Sequence, residues 1–201
     1  MRLPFLLGSL SMVSGVWSTT PGGGVSARVD VVVTHPSPTC DVTTATEPAG
    51  SRSHRAACSA IDYAFVPLVS GDHYTIWANY QTYDAPVPWG FLVHSMEHGG
   101  VVLAYDPASP MASDAMTAFA AVIAAHGADP LCRDQSWMSR IIVVPAHDLE
   151  TPIAALAWEH TYEATCLDMA SLTAFVQAHY GHAPEDLCAP GEDASAIGWC
   201  S

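Results

Sequence analysis

The strongest candidate for chemistry is a short segment that carries two histidines and a carboxylate within five residues. His94, Glu97 and His98 form the pattern H-x-x-E-H. On a helix, side chains three and four residues apart share one face, so both imidazoles and the carboxylate could reach one cation. Histidine nitrogens and carboxylate oxygens are common ligands of zinc and copper. The spacing therefore predicts a metal site carried by a helical turn.

The same segment has a second interpretation if its backbone is extended. On a strand, His94 and His98 would stand roughly 13 Å apart, at about 3.3 Å per residue, and His94 would instead neighbour Met96, a softer ligand suited to copper. We favour the helix because Gly99 follows the pattern, and a glycine just past a helix end accepts the left-handed conformation that stops it. Residues 100–105 then predict a buried strand.

Composition limits the classes of partner and reaction. The chain has 201 residues and is 50% hydrophobic, which is typical of one domain with a substantial core. Its formal net charge is −14, with six basic residues, all of them arginine. This balance offers no basic patch for nucleic acid or an anionic membrane. The lack of lysine excludes a phosphate-binding loop and Schiff-base chemistry.

The N-terminus predicts export. A positive start at Arg2, an apolar stretch and a small residue at Ser18 are typical of a cleaved signal peptide over residues 1–18. This stretch is too short and too polar for a secure membrane span. We expect a flexible leader over residues 19–28 and a single disulfide-stapled domain over residues 29–201. The expected location is secreted or periplasmic, with no stable membrane span after processing.

Cysteine usage agrees with export. All six cysteines follow the predicted signal peptide, and an even number in an exported chain predicts disulfides. None lies in C-x-x-C spacing, which argues against a thiol redox centre or a cysteine zinc site. Proximity along the chain favours pairs of Cys40 with Cys58, Cys132 with Cys166, and Cys188 with Cys200.

Hydrophobic patterning predicts an α+β fold, with two main helices packed on a small mixed β-sheet. The helices are expected over residues 113–126 and 168–179, and the strands over residues 29–34, 63–66, 100–105, 140–144 and 152–158. Residues 36–59 have the Pro, Ser, Thr and Gly content of a long loop, and the aromatic residues 70–90 predict an irregular segment over the core or a pocket. The order is compatible with a thioredoxin-like core without its redox motif.

Several motifs resemble the domain of unknown function 3105 family, whose members are mostly exported or membrane-anchored. The resembling segments are S-G-x-H at 70–73, V-P at 87–88, V-H-S-M-E-H-G-G-V-V at 93–102, R-I-I-V-V-P at 140–145 and P-I-A-A-L-A-W at 152–158. The resemblance implies that His73 belongs to one site with His94, Glu97 and His98. The activity of the family is unsettled, so the resemblance supplies no reaction.

These residues predict an exported metal-binding protein for copper or zinc rather than an enzyme. His73, His94 and His98 would supply three nitrogens, with Glu97 as a fourth ligand, an outer hydrogen-bond partner or a base. One alternative is a zinc-dependent hydrolase in which Glu97 is the general base, since H-x-x-E-H resembles an inverted zincin signature. The other is a structural secreted domain without a metal.

A second metal cluster has weaker support. His54, His160 and His182, with Glu159 and Glu163, could form it, but no spacing fixes their geometry.

Overall fold

The computed structural model describes residues 29–34, 40–133, 135–194 and 200. The predicted signal peptide and leader, residues 1–28, lie outside this described part. The strands are β1 (Val29–Thr34), β2 (Asp41–Thr46), β3 (His54–Arg55), β4 (His73–Tyr74), β5 (Val101–Tyr105), β6 (Ile141–Pro145), β7 (Ile153–Ala157) and β8 (His160–Ala164). The helices are α1 (Trp89–Glu97), α2 (Ala112–His126) and α3 (Met169–His179), with a 3₁₀ turn at Pro130–Cys132.

Six of these strands form one mixed sheet in the order β1-β2-β8-β7-β5-β6. Only β5 and β6 run parallel, and the other neighbours in this sheet are antiparallel. The strands β3 and β4 form a separate parallel ladder. This architecture confirms the predicted α+β class with a mixed sheet. The expectation of a thioredoxin-like core stays a prediction.

The sheet is covered on both faces, which explains why its central strands are almost wholly apolar. Along β5, Val101 and Leu103 pack in one core cluster while Val102 and Ala104 pack in the other, as the alternation of a strand requires. Helices α2 and α3 contribute to the first cluster, and α1 with the aromatic segment contributes to the second. The core therefore lies in two layers, one on each side of the sheet.

The two main helices are confirmed close to their predicted bounds. Helix α2 begins at Ala112, and Gly127 (φ +78°) follows its last residue, as expected. Helix α3 begins after Asp168, whose carboxylate accepts hydrogen bonds from the amides of Ala170 and Ser171. This cap satisfies two amides that have no partner within the helix.

Two local predictions are wrong. Residues 63–66 form no strand, residues 64–67 are bends, and Phe65 in this run is half-exposed. Pro67 follows directly, and its ring nitrogen cannot donate to a strand ladder. The predicted loop over residues 36–59 contains β2 and β3. Strand β2 is rich in threonine, a β-branched residue that favours strands although it also belongs to loop compositions.

The disulfide pairs also differ from those predicted, although all six cysteines are oxidised. The structure pairs Cys40 with Cys166, Cys58 with Cys200, and Cys132 with Cys188. Cys40 lies just before β2 and Cys166 just after β8, and the antiparallel pairing of these strands brings those two ends together. Sheet neighbours thus outweigh proximity along the chain.

Three disulfides indicate an oxidising, extracellular type of environment. Among the described residues, no helix has both the length and the apolar character needed to cross a membrane.

The disulfide pattern gives a first testable prediction. Peptic digestion of the unreduced protein at low pH, where thiol exchange is slow because thiolate is scarce, should release three cross-linked peptides. Mass spectrometry should identify them as the pairs seen in the structure. Thiol titration of the unfolded, unreduced protein is the control and should find no free cysteine. A peptide that links Cys40 to Cys58 would contradict the fold around β2 and β8.

Candidate metal centre

Helix α1 carries the H-x-x-E-H pattern into the interior. Every residue from Gly90 to Glu97 is buried, because the helix lies between the sheet and the aromatic segment. Helices that are buried on all sides have little room for polar side chains unless those side chains are paired. The helix ends at Glu97, and Gly99 adopts φ +86°, as the sequence predicted. His94 and Glu97 are therefore held on a rigid, buried element.

The end of α1 is fixed by hydrogen bonds from a later part of the chain. The last carbonyls of a helix have no partner within it and need donors from elsewhere. Here they accept from backbone amides: Glu185 donates to Glu97, Leu187 to His98, and Gly181 to Gly99.

Arg140 reinforces the same helix end. Its buried guanidinium donates to the carbonyl of His98 (2.7 Å), and it also bonds the carboxylates of Asp129 (2.9 Å) and Asp186 (2.6 Å). Because two carboxylates compensate the buried charge, the arginine can hold this end of the helix in place.

The small β3–β4 ladder brings two more histidines to the same place. His54 of β3 pairs with His73 of β4, so the two residues are lateral neighbours. The amide of His73 donates to the carbonyl of Ser53, which fixes this register. The rings of His54 and His73 lie 4.7 Å apart between centroids, and each lies 4.8 Å from the ring of His94.

Four side chains converge on one point. His54, His73, His94 and Glu97 each offer a ligand atom, and these atoms all lie within 4.8 Å of one another. Two atoms bound to one zinc ion by bonds of about 2.1 Å cannot be more than about 4.2 Å apart. In tetrahedral geometry the same bonds place ligand atoms about 3.4 Å apart, so a bound zinc ion would draw the widest pair together by more than about 1 Å.

The hydrogen bonds of two histidines select the tautomer that a metal needs. Nδ1 of His73 lies 2.8 Å from the carbonyl oxygen of Gly71, and Nδ1 of His94 lies 2.7 Å from that of Tyr74. A carbonyl only accepts, so each Nδ1 carries the hydrogen. The Nε2 atom of each neutral ring then has a free lone pair. A backbone partner of this kind usually orients the histidine ligands of metal sites.

His73 and Glu97 make a close contact that is not a hydrogen bond. Nε2 of His73 lies 3.0 Å from Oε2 of Glu97, yet these two atoms do not meet hydrogen-bond geometry, and neither has another hydrogen-bond partner among the described residues. His73 is fully buried and Glu97 is 2% exposed. Two acceptors that face each other in the interior are costly unless a cation lies between them.

The electrostatic setting favours neutral imidazoles. Burial, together with the neighbouring His98, lowers the pKa of His94 to about 3. Burial also lowers the pKa of His98, against the opposing effect of Glu185. Neutral imidazole is the form that binds a metal ion, so these rings need not lose a proton to act as ligands at neutral pH.

A comparison with protein families gives a match to the family described as protein of unknown function (DUF3105), over residues 54–191. This range covers more than half of the chain. The chain belongs to the DUF3105 family. The match begins at His54 and includes the whole four-residue group. No curated protein and no solved structure matches the chain.

In this DUF3105 protein, three of the four predicted site residues come together. His73, His94 and Glu97 belong to the converging group, while the fourth predicted residue, His98, lies beside it. The His98 ring is 4.6 Å from that of His94, but its Nε2 lies 3.3 Å from Oε2 of Glu185. Its place as a metal ligand stays a prediction.

Sequence reasoning missed His54 as a member of the main site. It was grouped with His160 and His182, but the ring of His160 stacks on His179 at 4.0 Å, and His182 bonds the carbonyl of Ala178. The parallel ladder that joins His54 to His73 is a non-local contact between two short segments. No spacing of residues in the sequence predicts such a contact.

The lowered pKa of His94 predicts a pH dependence of stability. The ordinary value of 6.5 applies to the unfolded chain and about 3 to the folded protein, so between these values the unfolded chain binds more protons. This contribution to stability is complete above pH 6.5 and is lost as pH falls through the folded pKa near 3. Its slope is at most about 1.4 kcal/mol per pH unit for one group.

Urea unfolding of the metal-free protein in EDTA, measured across this pH range, tests that expectation. His94→Gln should give a flatter dependence of the free energy of unfolding on pH. The matched control is His147→Gln, which replaces an exposed histidine and should keep the original slope. Equal slopes in the original protein and His94→Gln would contradict the assignment.

Proposed function

We propose that this DUF3105 protein is an exported metal-binding protein that holds one zinc or copper(II) ion between His54, His73, His94 and Glu97. The observation that carries the proposal is the buried approach of His73 Nε2 to Glu97 Oε2 at 3.0 Å, without a hydrogen bond. A divalent cation at this point would turn two opposed lone pairs into two metal bonds. It would also neutralise a carboxylate that is otherwise buried near imidazoles.

The donor set supports zinc or copper(II) as the ion. Three imidazole nitrogens and one carboxylate oxygen suit both metals. Soft sulfur ligands, which favour copper(I), are not part of the group, because every cysteine is in a disulfide and Met96 is buried in the apolar core. At equal availability such a site binds copper(II) more tightly than zinc.

Export is supported by the three disulfides together with the signal peptide expected from the sequence. We place the protein in a secreted or periplasmic setting. Histidine and carboxylate ligands suit this oxidising setting because, unlike thiolates, they do not form disulfides.

The geometry supports binding in preference to hydrolysis. A general base must stand beside a metal-bound water, whereas Glu97 directs Oε2 into the group of imidazoles. Glu97 is therefore assigned as a ligand. The alternative of a structural domain without a metal would leave buried acceptors of His73 and Glu97 unpaired, at a cost that folded proteins rarely bear.

Metal analysis of the purified, oxidised protein tests the proposal. After loading with zinc or copper(II) and removal of excess ion, we expect one equivalent per chain. Glu97→Gln and His73→Gln should each weaken binding at least about 100-fold, since loss of even an outer partner costs 10–100-fold. His147→Gln is the control for a histidine outside the site and should retain the full equivalent.

Two further variants distinguish the ligand sets. His54→Gln should weaken binding, while His98→Gln should keep one equivalent, because Nε2 of His98 faces Glu185. If His98→Gln weakens binding and His54→Gln does not, the ligands are those expected from the sequence, with His98 in place of His54. Failure to retain any metal would overturn the proposal. Peptide hydrolysis by the zinc-loaded protein that is lost in Glu97→Gln would favour the enzyme instead.

A further inference from the structure

One side of the four-residue group is open to solvent. His73, His94 and Glu97 are almost fully buried, but the side chain of His54 is 46% exposed. The neighbouring side chain of Arg52 is 56% exposed. A small molecule can therefore approach the group on the side where Arg52 and His54 meet water.

The two arginines of this segment, Arg52 and Arg55, face different carboxylates. Arg52 and His54 both approach the carboxylate of Glu97, whereas Arg55, the neighbour of His54 in β3, points away from it. Nε of Arg55 donates to Oδ2 of Asp72 at 2.7 Å, and Nη2 of Arg55 contacts the same oxygen. Arg55 is thus engaged away from the site, and Arg52 is the cation beside it.

Arg52 has no close partner of its own in the described part of the chain. Its Nε lies 3.9 Å from Oε1 of Glu97, which is an ion pair but too long for a hydrogen bond. The guanidinium keeps its donors available, and its fork matches the two oxygens of a carboxylate or phosphate.

The charge at this edge changes when a divalent ion binds. The ion carries two positive charges, Glu97 supplies one negative charge, and metal-bound imidazoles are neutral. Arg52 adds another positive charge beside them. The occupied site is then positive on its open side, within a chain whose formal net charge is −14. A zinc site with four ligands can expand to five, and copper(II) commonly takes tetragonal geometry.

We propose that the bound ion takes an oxyanion at a coordination position beside His54, and that Arg52 pairs with this anion. This inference rests on the metal-binding function proposed above. The ligand class is a carboxylate or a phosphate, because both present oxygens to a metal ion and to a guanidinium at once. The protein would then bind a metal ion together with an anion, and Arg52 would favour anions over neutral molecules.

Cobalt(II) can test this as a spectroscopic substitute for zinc. The oxidised protein is loaded with one equivalent of cobalt(II), and its visible absorption is followed during titration with acetate or inorganic phosphate at constant ionic strength. We expect a saturable change of the cobalt bands. Arg52→Gln should weaken anion binding by about tenfold or more while the bands before titration stay the same. Arg55→Gln is the matched control and should bind the anion as the original protein does.

The outcomes separate this inference from the metal-binding proposal. Cobalt bands that do not respond to either anion would overturn the inference and leave metal binding intact. Equal anion affinity in Arg52→Gln and Arg55→Gln would remove the role of Arg52 and also overturn the inference. If the oxidised protein binds none of cobalt(II), zinc and copper(II), both proposals fail together. Tighter binding of acetate than of phosphate would indicate a carboxylate as the ligand class, and tighter binding of phosphate would indicate a phosphate.

Discussion

A carboxylate that faces imidazole nitrogens in the interior is the constraint on which this structure depends. Glu97 is buried at the end of a helix, and its Oε2 lies 3.0 Å from Nε2 of His73 without a hydrogen bond between them. An isolated buried charge costs several kcal/mol, at the order of magnitude that decides whether a domain folds. The fold holds separate segments together so that the side chains of His54, His73, His94 and Glu97 meet at the site proposed for a cation.

The residues around Glu97 are held to different degrees by the rest of the structure. Behind it, α1 is fixed by Arg140 and by the later segment that bonds its last carbonyls, and both are tied into the sheet and its core. In front of it, His54 lies on a strand of two residues with an exposed side chain. In the proposed metal site, the buried side would set the geometry of His73, His94 and Glu97, while the exposed His54 would adjust to an ion.

The sequence predicted what depends on local patterns. The helix at His94 and Glu97, the glycine that follows it, the Asp168 cap and the buried strands all follow from spacing over a few residues. It did not predict β2, β8, the disulfide partners or His54. These depend on which strands become neighbours, and that choice is made by burial across the whole chain, which leaves no short-range signature.

The bond between Cys58 and Cys200 joins the His54 segment to the far end of the chain. Only three residues separate His54 from Cys58, so this covalent bond limits the motion of the exposed His54 side chain. Protein made in a reducing cytosol, or purified with a strong reductant, would lack this tether and hold the ligand less firmly. For the proposed metal site, the metal content of such a preparation would understate that of the oxidised protein, so the protein for this measurement is best produced under oxidising conditions.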